Sequence, residues 1–191
     1  MNNLQTKYFL DKLSAIFLGF ILLPLIFLVS LLVLSLSRGP ILYWSKRIGK
    51  DNVEFMMPKF RTMRVETPDL ATHLLKNPKK WLIPFGGFLR STSLDEMPQL
   101  WSILRGQMTF VGPRPALFNQ YDLIKLRTEA GVHKLKPGIT GLAQINGRDS
   151  ISIEEKVKFD KEYMINQSSF LDLRIVLATI LKIYGDKNVS H

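Results

Sequence analysis

The longest uncharged stretch of the chain limits the environments in which this segment can fold. No residue from Leu13 to Leu36 carries a charge, and most of them are apolar. A helix that enters the bilayer core needs about 20 such residues, so the stretch is long enough. A cleavable signal peptide has a shorter apolar run that ends in a small-residue cleavage site, and a soluble domain of this size seldom buries an all-round apolar helix. The stretch therefore predicts a membrane-inserted helix.

Pro24 and the flanking charges predict how this helix enters the membrane. Proline removes a backbone hydrogen bond and clashes with the preceding turn, so Pro24 favours a break. Both flanks are basic, with Lys7 and Lys12 before the stretch and Arg38 after it. The positive-inside tendency puts both flanks in the cytoplasm, which a straight crossing does not allow. We predict a re-entrant helix over residues 1–37, broken at Pro24, with a spanning helix kinked at Pro24 as the alternative.

Residues 38–191 are predicted to form a single cytoplasmic domain, because they contain no internal repeat and no linker rich in Gly or Ser. The whole chain has 26 Lys+Arg and 16 Asp+Glu residues, a formal net charge of +10. This excess suits an anionic membrane, a phosphorylated substrate or nucleic acid. The chain contains no cysteine, which excludes disulfides and Cys-based metal or nucleophile chemistry.

Short strands and several helices are predicted for this domain. Residues 41–48 and 53–63 are rich in aromatic side chains and are separated by a Gly-Lys-Asp-Asn turn, which predicts a β-hairpin. Helical patterns follow at roughly 96–104, 117–130, 152–166 and 171–184. The last of these is amphipathic, and it either packs on the core or lies on the bilayer surface. The predicted fold class is α with small β elements (α+β).

Asp95 and Glu96 form an acidic pair inside an otherwise basic stretch. A carboxylate can attack phosphorus or hold a divalent cation, and neighbouring cations can neutralise a diphosphate. Two structural interpretations are open. Ser93 and Glu96 match a capping box, which would make Glu96 structural. With Asp95 as the N-cap, Pro98 falls where its missing N–H costs nothing, and both carboxylates lie at a helix N-terminus; Pro98 favours this second interpretation.

Two loops carry polar side chains suited to phosphate. Pro113 and Pro115 restrict the backbone around Arg114, so the loop can present a guanidinium in a fixed orientation. An exposed arginine in an ordinary turn is the alternative. Residues 136–148 contain three glycines and a proline but lack the order of a P-loop or a dinucleotide fingerprint. By themselves they predict a binding loop for an anion or nucleotide, or only a connection.

Taken in order, these segments resemble the bacterial sugar transferase family, specifically its small monotopic phosphoglycosyl transferases. The resemblance rests on the apolar helix with Pro24 and on four phrases: KFRTM at 59–63, GFLRSTSLDEMPQ at 87–99, VGPRP at 111–115 and KPGITGLAQINGR at 136–148. It extends from about Lys7 to Tyr184. One departure is Leu23, because relatives often carry Ser before the proline.

The resemblance implies transfer of a sugar 1-phosphate from a UDP-sugar to a polyprenyl phosphate such as undecaprenyl phosphate, with release of UMP. The reaction would take place at the cytoplasmic face of the bacterial inner membrane. Asp95 would be the nucleophile of a covalent phosphosugar intermediate and a ligand of an Mg²⁺ cofactor, with Glu96 assisting deprotonation of the acceptor. The residues implied for substrate binding are Lys59, Arg61, Arg90, Arg114, Gln144 and Arg148. No nucleic-acid partner is expected, and a homodimer stays open.

Two other functions are compatible with parts of the sequence. A membrane-anchored basic module that binds anionic lipid or nucleic acid would explain the charge and the anchor, but not the acidic pair. A nucleotide-sugar hydrolase would use the same site with water as the acceptor.

Overall fold

A computed structural model of the chain describes residues 3–68, 77–147 and 150–185. One long helix precedes a domain of short helices and strands. The helices are α1 (Asn3–Leu36), α2 (Gly86–Ser91), α3 (Leu100–Leu104), α4 (Tyr121–Glu129), α5 (Leu142–Ile145), α6 (Ile153–Ile165) and α7 (Ser169–Gly185). The strands are β1 (Leu42–Ile48), β2 (Glu54–Phe60), β3 (Thr109–Val111), β4 (Ala116–Leu117) and β5 (Gly138–Thr140). Short 3₁₀ helices lie at Lys50–Asn52, Pro78–Trp81, Leu94–Gln99 and Val132–Lys134.

The predicted hairpin is confirmed, and it forms the centre of a small antiparallel sheet. β1 pairs with β2 along their whole length, from Leu42 opposite Phe60 to Ile48 opposite Glu54. β4 adds to the other edge of β1, with Ile48 opposite Ala116. A second sheet consists of two parallel strands, β3 and β5, and was not predicted from the sequence. The mixture of helices with small β elements matches the predicted fold class.

Glycines allow β3 and β5 to approach each other closely. A Cβ added to Gly138 would lie 2.2 Å from the backbone nitrogen of Gly112, and one added to Gly141 would lie 2.1 Å from the Gly112 carbonyl oxygen. Real side chains do not tolerate contacts this short, so only glycine fits at these positions. The loop around Arg114 and the 136–148 segment are therefore brought side by side.

α1 is a continuous helix, which corrects one prediction. Its 34 residues include Pro24, and helical structure is not interrupted there. A proline removes one hydrogen bond and can bend a helix without ending it, so the predicted break is wrong at the level of secondary structure. The re-entrant path stays a prediction. Within the described parts of the chain, Leu4–Leu36 is the one helix long and apolar enough to cross a membrane, and most of it is exposed.

Both ends of α1 pack against the domain that follows it. Near the N-terminal end, Lys7 Nζ lies 2.6 Å from Asp172 Oδ2, and Ala15 is buried among side chains of β2 and α3. Near the C-terminal end, Val29 and Val33 are buried in a second apolar cluster with Phe60, Ile83 and Leu89. The helix therefore lies along the domain and does not project away from it.

α6 and α7 agree with the predicted ranges 152–166 and 171–184, and α6 begins with a capping box formed by Ser152 and Glu155. The helix predicted for 117–130 begins only at Tyr121, because Leu117 pairs in β4. α7 is amphipathic, as predicted, and its contact with a bilayer stays a prediction. Ile175 is fully buried in a third apolar cluster, whereas Leu173, Leu177 and Leu181 on the other side of the helix are exposed. One face of α7 thus packs on the core and the other presents apolar side chains at the surface.

Candidate active site

One cavity of about 1190 Å³ brings together the candidate residues that the structure describes. The residues that line it include Lys59, Arg61, Arg90, Asp95, Glu96, Arg114 and Gln144. Arg148 lies outside the described residues. Leu18 and Leu22 of α1 also line the cavity, so one of its walls belongs to the apolar helix.

The acidic pair lies in the first turn of the 3₁₀ helix Leu94–Gln99, and this corrects both structural interpretations. Ser93 occupies the cap position in a left-handed conformation (φ 57°), and its side chain makes no capping bond. An N-cap residue normally has an extended backbone that turns its hydroxyl toward the helix, so the capping box with Glu96 does not form. Asp95 is not the cap either. The helix starts one residue before it, because Glu96 N–H donates to the Ser93 carbonyl at 3.1 Å.

Asp95 is almost completely buried, with 7% of its surface exposed. Burial raises the pKa of Asp95 to about 6, with Glu96 adding to the rise and Lys59, Arg90 and Arg114 opposing it. The cause is the cost of holding a carboxylate charge away from water. The carboxylate is thus ionised above about pH 6 and is weakly solvated, which suits a nucleophile.

Glu96 is in direct contact with two neighbouring cations. Its Oε1 accepts a hydrogen bond from Lys59 Nζ at 2.7 Å and lies 3.4 Å from Arg114 Nη2. Lys59 comes from β2 and Arg114 from the loop between β3 and β4, so three separate parts of the fold meet at this carboxylate. Burial lowers the pKa of Lys59, and the charge of Glu96 opposes the fall. The pair therefore holds a lysine ammonium in a poorly hydrated cavity.

The acidic pair fits a magnesium ion that is completed by substrate. The described residues contain no group of three or more His, Cys, Asp or Glu side chains placed to hold a metal ion. Mg²⁺ is commonly bound through one or two carboxylates together with substrate phosphates and water. Because Glu96 is already paired with Lys59, Asp95 is the better placed ligand. The donor set present is thus compatible with Mg²⁺ in the company of a diphosphate.

Arg61 and Gln144 differ in what their side chains contact. Arg61 donates from Nε to the Pro40 carbonyl at 2.8 Å and from Nη2 to the Leu42 carbonyl at 3.4 Å, so it also supports the start of β1. The side-chain nitrogen and oxygen of Gln144 are buried and have no hydrogen-bond partner among the described residues. Both line the cavity, and their predicted role in substrate binding stays a prediction.

Two arginines of the cavity wall were missed by the sequence patterns. Arg47, counted above only as part of the chain's positive charge, lies in β1 and donates to the Pro115 carbonyl at 3.1 Å. Arg127 lies one helical turn after the buried Leu123 in α4, on the same face. A charged residue on a buried helix face was the available signal for Arg127, since such a position requires a partner.

Nearly the whole chain is similar to known proteins. The model of the family described as bacterial sugar transferase matches residues 2–186. The chain belongs to the bacterial sugar transferase family. It is 41% identical to an uncharacterized sugar transferase, EpsL, of Bacillus subtilis, over 97% of this chain and 90% of that protein. It is 38% identical to the exopolysaccharide production protein ExoY of Rhizobium meliloti, over 92% and 84%.

Similarity extends to larger members of the family. The chain is 34% identical to the UDP-glucose:undecaprenyl-phosphate glucose-1-phosphate transferase of Klebsiella pneumoniae, over 97% of this chain and 42% of that protein. It is 36% identical to the protein of the same name from Escherichia coli, over 93% and 40%. The chain thus spans less than half the length of these two relatives.

Proposed function

We propose that this chain transfers a sugar 1-phosphate from a UDP-sugar to undecaprenyl phosphate or another polyprenyl phosphate, releasing UMP. The observation that carries the proposal is the position of the acidic pair. Asp95 and Glu96 share one cavity with Lys59 and Arg114, and α1 supplies part of the cavity wall. Such a cavity can receive a charged diphosphate and the phosphate end of a lipid together. The names of the related transferases support this choice of donor and acceptor.

In the first proposed step, a carboxylate oxygen of Asp95 attacks the β-phosphorus of the UDP-sugar. A bond forms between that oxygen and phosphorus, and the bond from phosphorus to the oxygen that bridges the two phosphates breaks. UMP leaves with the electron pair of the broken bond. Lys59, Arg90 and Arg114 stabilise the negative charge on the diphosphate while it shifts to UMP. The raised pKa of Asp95, about 6, leaves the nucleophile ionised at neutral pH.

In the second proposed step, an oxygen of the polyprenyl phosphate attacks the phosphorus attached to Asp95. The bond between phosphorus and the Asp95 oxygen breaks, which restores the carboxylate and yields a polyprenyl diphosphate sugar. If the polyprenyl phosphate arrives as the monoanion, the Glu96 carboxylate accepts its proton. Lys59, whose Nζ lies 2.7 Å from Glu96 Oε1, stabilises Glu96 in its ionised form before this transfer. Leu18 and Leu22 provide an apolar wall for the first part of the polyprenyl chain.

Mg²⁺ belongs to this proposal as a cofactor held by Asp95 and the donor diphosphate. When bound, it would neutralise phosphate charge and polarise the β-phosphorus. The proposal is supported by the carboxylate environment described above: Lys59 Nζ lies 2.7 Å from Glu96 Oε1, and the neighbouring Asp95 carboxylate lines the same cavity.

We also propose that α1 enters the membrane from the cytoplasmic face and that both of its ends stay there. A straight helix of 34 residues is about 50 Å long, and a perpendicular crossing would carry one end far from the domain. Here Lys7 contacts Asp172 at one end and Val33 packs into the domain at the other. The exposed apolar side chains between them, including Phe17, Phe20 and Phe27, would face lipid.

UMP release from a panel of UDP-sugars tests the proposed reaction. The full chain is held in nanodiscs with undecaprenyl phosphate and Mg²⁺, with Asp95→Asn as the matched inactive variant. We expect release with one or few sugars, dependent on both the lipid acceptor and the metal. Sugar phosphate formed at the same rate without the acceptor would favour a hydrolase. No release across the panel from folded protein would favour a non-enzymatic binding module, as would salt-sensitive binding that needs no Mg²⁺.

Cysteine labelling tests the proposed path of α1, because the natural chain contains no cysteine. Thr6→Cys and Arg38→Cys are introduced singly, and a membrane-impermeant maleimide is added to right-side-out and inverted vesicles. Both positions should be labelled only in inverted vesicles. Labelling of the two positions from opposite sides would establish a spanning helix and refute the re-entrant path.

A further inference from the structure

The loop Pro113-Arg114-Pro115 is held by hydrogen bonds to three consecutive carbonyl groups. The Pro113 carbonyl accepts from the Gly138 N–H at 2.9 Å, and the Arg114 carbonyl accepts from Arg127 Nη1 at 2.7 Å. The Pro115 carbonyl accepts from Arg47 Nη1 at 3.1 Å. The two prolines have no N–H to donate, so the orientation of the loop depends on these acceptors.

Arg127 is itself fixed from the side opposite the loop. Its Nε and Nη2 donate to Asp160 Oδ2 at 2.9 and 2.6 Å. Arg127 is 9% exposed and Asp160 is 1% exposed, so water competes little for these bonds. All three guanidinium nitrogens of Arg127 therefore donate to protein acceptors, which lie on the Arg114 loop and on α6.

The contact that this arrangement serves is sensitive to orientation. Arg114 Nη2 lies 3.4 Å from Glu96 Oε1, near the limit for a hydrogen bond, so a small rotation of the loop would remove it. Charge-assisted bonds to phosphate require similarly accurate placement. A displacement of about 1 Å at a substrate-positioning group can cost roughly 10²-fold in rate.

We propose that Arg127, held by Asp160, is a positioning residue that fixes the Arg114 loop for binding of the donor diphosphate. The inference rests on the proposed function, since it assigns Arg114 to the donor. A buried pair that only joins α4 to α6 would not require the third bond, from Arg127 to the Arg114 carbonyl. That bond connects Arg127 to Glu96 through Arg114.

Arg127→Lys distinguishes positioning of the Arg114 loop from a purely structural role in joining α4 to α6. Lysine keeps a positive charge beside Asp160 but has a single nitrogen, which cannot reach Asp160 and the Arg114 carbonyl with the same geometry. We expect the KM for the donor to rise by roughly tenfold to 10²-fold, with the KM for undecaprenyl phosphate unchanged. Lys125→Gln, on the exposed face of the same helix, is the matched control and should leave both constants unchanged.

A second arm asks whether Arg127 acts through Arg114. The Arg127→Lys change is made again in an Arg114→Gln background, where it should have little further effect on the KM for the donor. Effects of the two changes that multiply would show that Arg127 does not work through Arg114. A fall in kcat with the donor KM unchanged would indicate only a loss of active protein. Either result overturns the proposal.

A binding measurement keeps the test valid if Arg127→Lys is poorly folded. Asp160→Asn keeps an oxygen acceptor for Arg127 and loosens the pair, and its affinity for UDP is measured from the UDP-induced rise in melting temperature. We expect weaker UDP binding than in the wild type, and unchanged affinity would contradict the proposal. Wild-type protein is assayed first on the same donor. If it releases no UMP, the proposed function fails, whereas active wild type with an unchanged variant refutes only the positioning role.

Discussion

Substitution of Asp95 by Asn should stabilise the fold while abolishing activity. Burial raises the pKa of Asp95 from 3.8 to about 6, so the ionised carboxylate is less favourable in the folded protein than in the unfolded chain. Asparagine has nearly the same shape and carries no charge to desolvate. The substitution therefore removes a destabilising charge together with the nucleophile.

The size of the effect follows from the pKa. The difference between 6 and 3.8 is about 2.2, and each pKa unit corresponds to about 1.36 kcal/mol, which gives about 3 kcal/mol at pH 8. For a chain of this length, that energy corresponds to a rise in melting temperature of about 6–12 °C. The pH dependence is opposite to that of a carboxylate whose pKa is lowered by folding, which loses stability as the pH falls. Because the folded pKa is raised, wild type gains stability as the pH falls through 6 toward 4, and the advantage of Asp95→Asn disappears over the same range.

Thermal unfolding in detergent without metal is the suitable assay, run at intervals from pH 8 to pH 4.5. Glu96→Gln is the matched control, and it should have the opposite effect. Glu96 accepts from Lys59 at 2.7 Å, and its loss leaves a buried ammonium without its nearest anion. We expect Glu96→Gln to destabilise the protein by about 2 kcal/mol or more.

Two results would refute this reasoning. One is a melting temperature of Asp95→Asn at or below that of wild type at pH 8. The other is a stabilisation that stays constant down to pH 4.5, because then desolvation of an ionised carboxylate is not its cause.

Three further outcomes are expected. Mg²⁺ added in the presence of UDP should raise the melting temperature of wild type further but not that of Asp95→Asn, and an equal further rise in both would exclude Asp95 as the ligand. Lys59→Met should lower kcat/KM by roughly 10²-fold and move the acidic limb of its pH profile upward, because the Lys59 charge lowers the pKa of Asp95; an unmoved limb would contradict this. Gly141→Ala should destabilise the protein by about 2 kcal/mol in thermal unfolding, because its Cβ would lie 2.1 Å from the Gly112 carbonyl. The control Gly87→Ala, whose Cβ would meet only Leu82 at 3.6 Å, should be neutral or slightly stabilising.

The features predicted correctly from the sequence are those encoded over short distances along the chain. The uncharged stretch predicts α1, two short aromatic-rich segments around a polar turn predict the β1–β2 hairpin, and apolar residues at helical spacing predict α4, α6 and α7. The adjacency of Asp95 and Glu96 is likewise visible in the sequence. Each of these follows from neighbouring residues whose spacing determines which face they share.

Only the tertiary structure determines which distant residues meet. Lys59 and Glu96 are 37 positions apart, and Arg127 and Asp160 are 33 apart, so no local pattern pairs them. The parallel pairing of β3 with β5 is equally non-local, because parallel strands need a crossover connection between them. Burial also depends on segments that are distant in the sequence. Asp95 becomes a poorly solvated carboxylate only when β2, the Arg114 loop and α1 enclose one cavity. The sequence alone thus determines the chemical groups and the long apolar helix, and the packing of distant segments determines the distances between those groups and their charges.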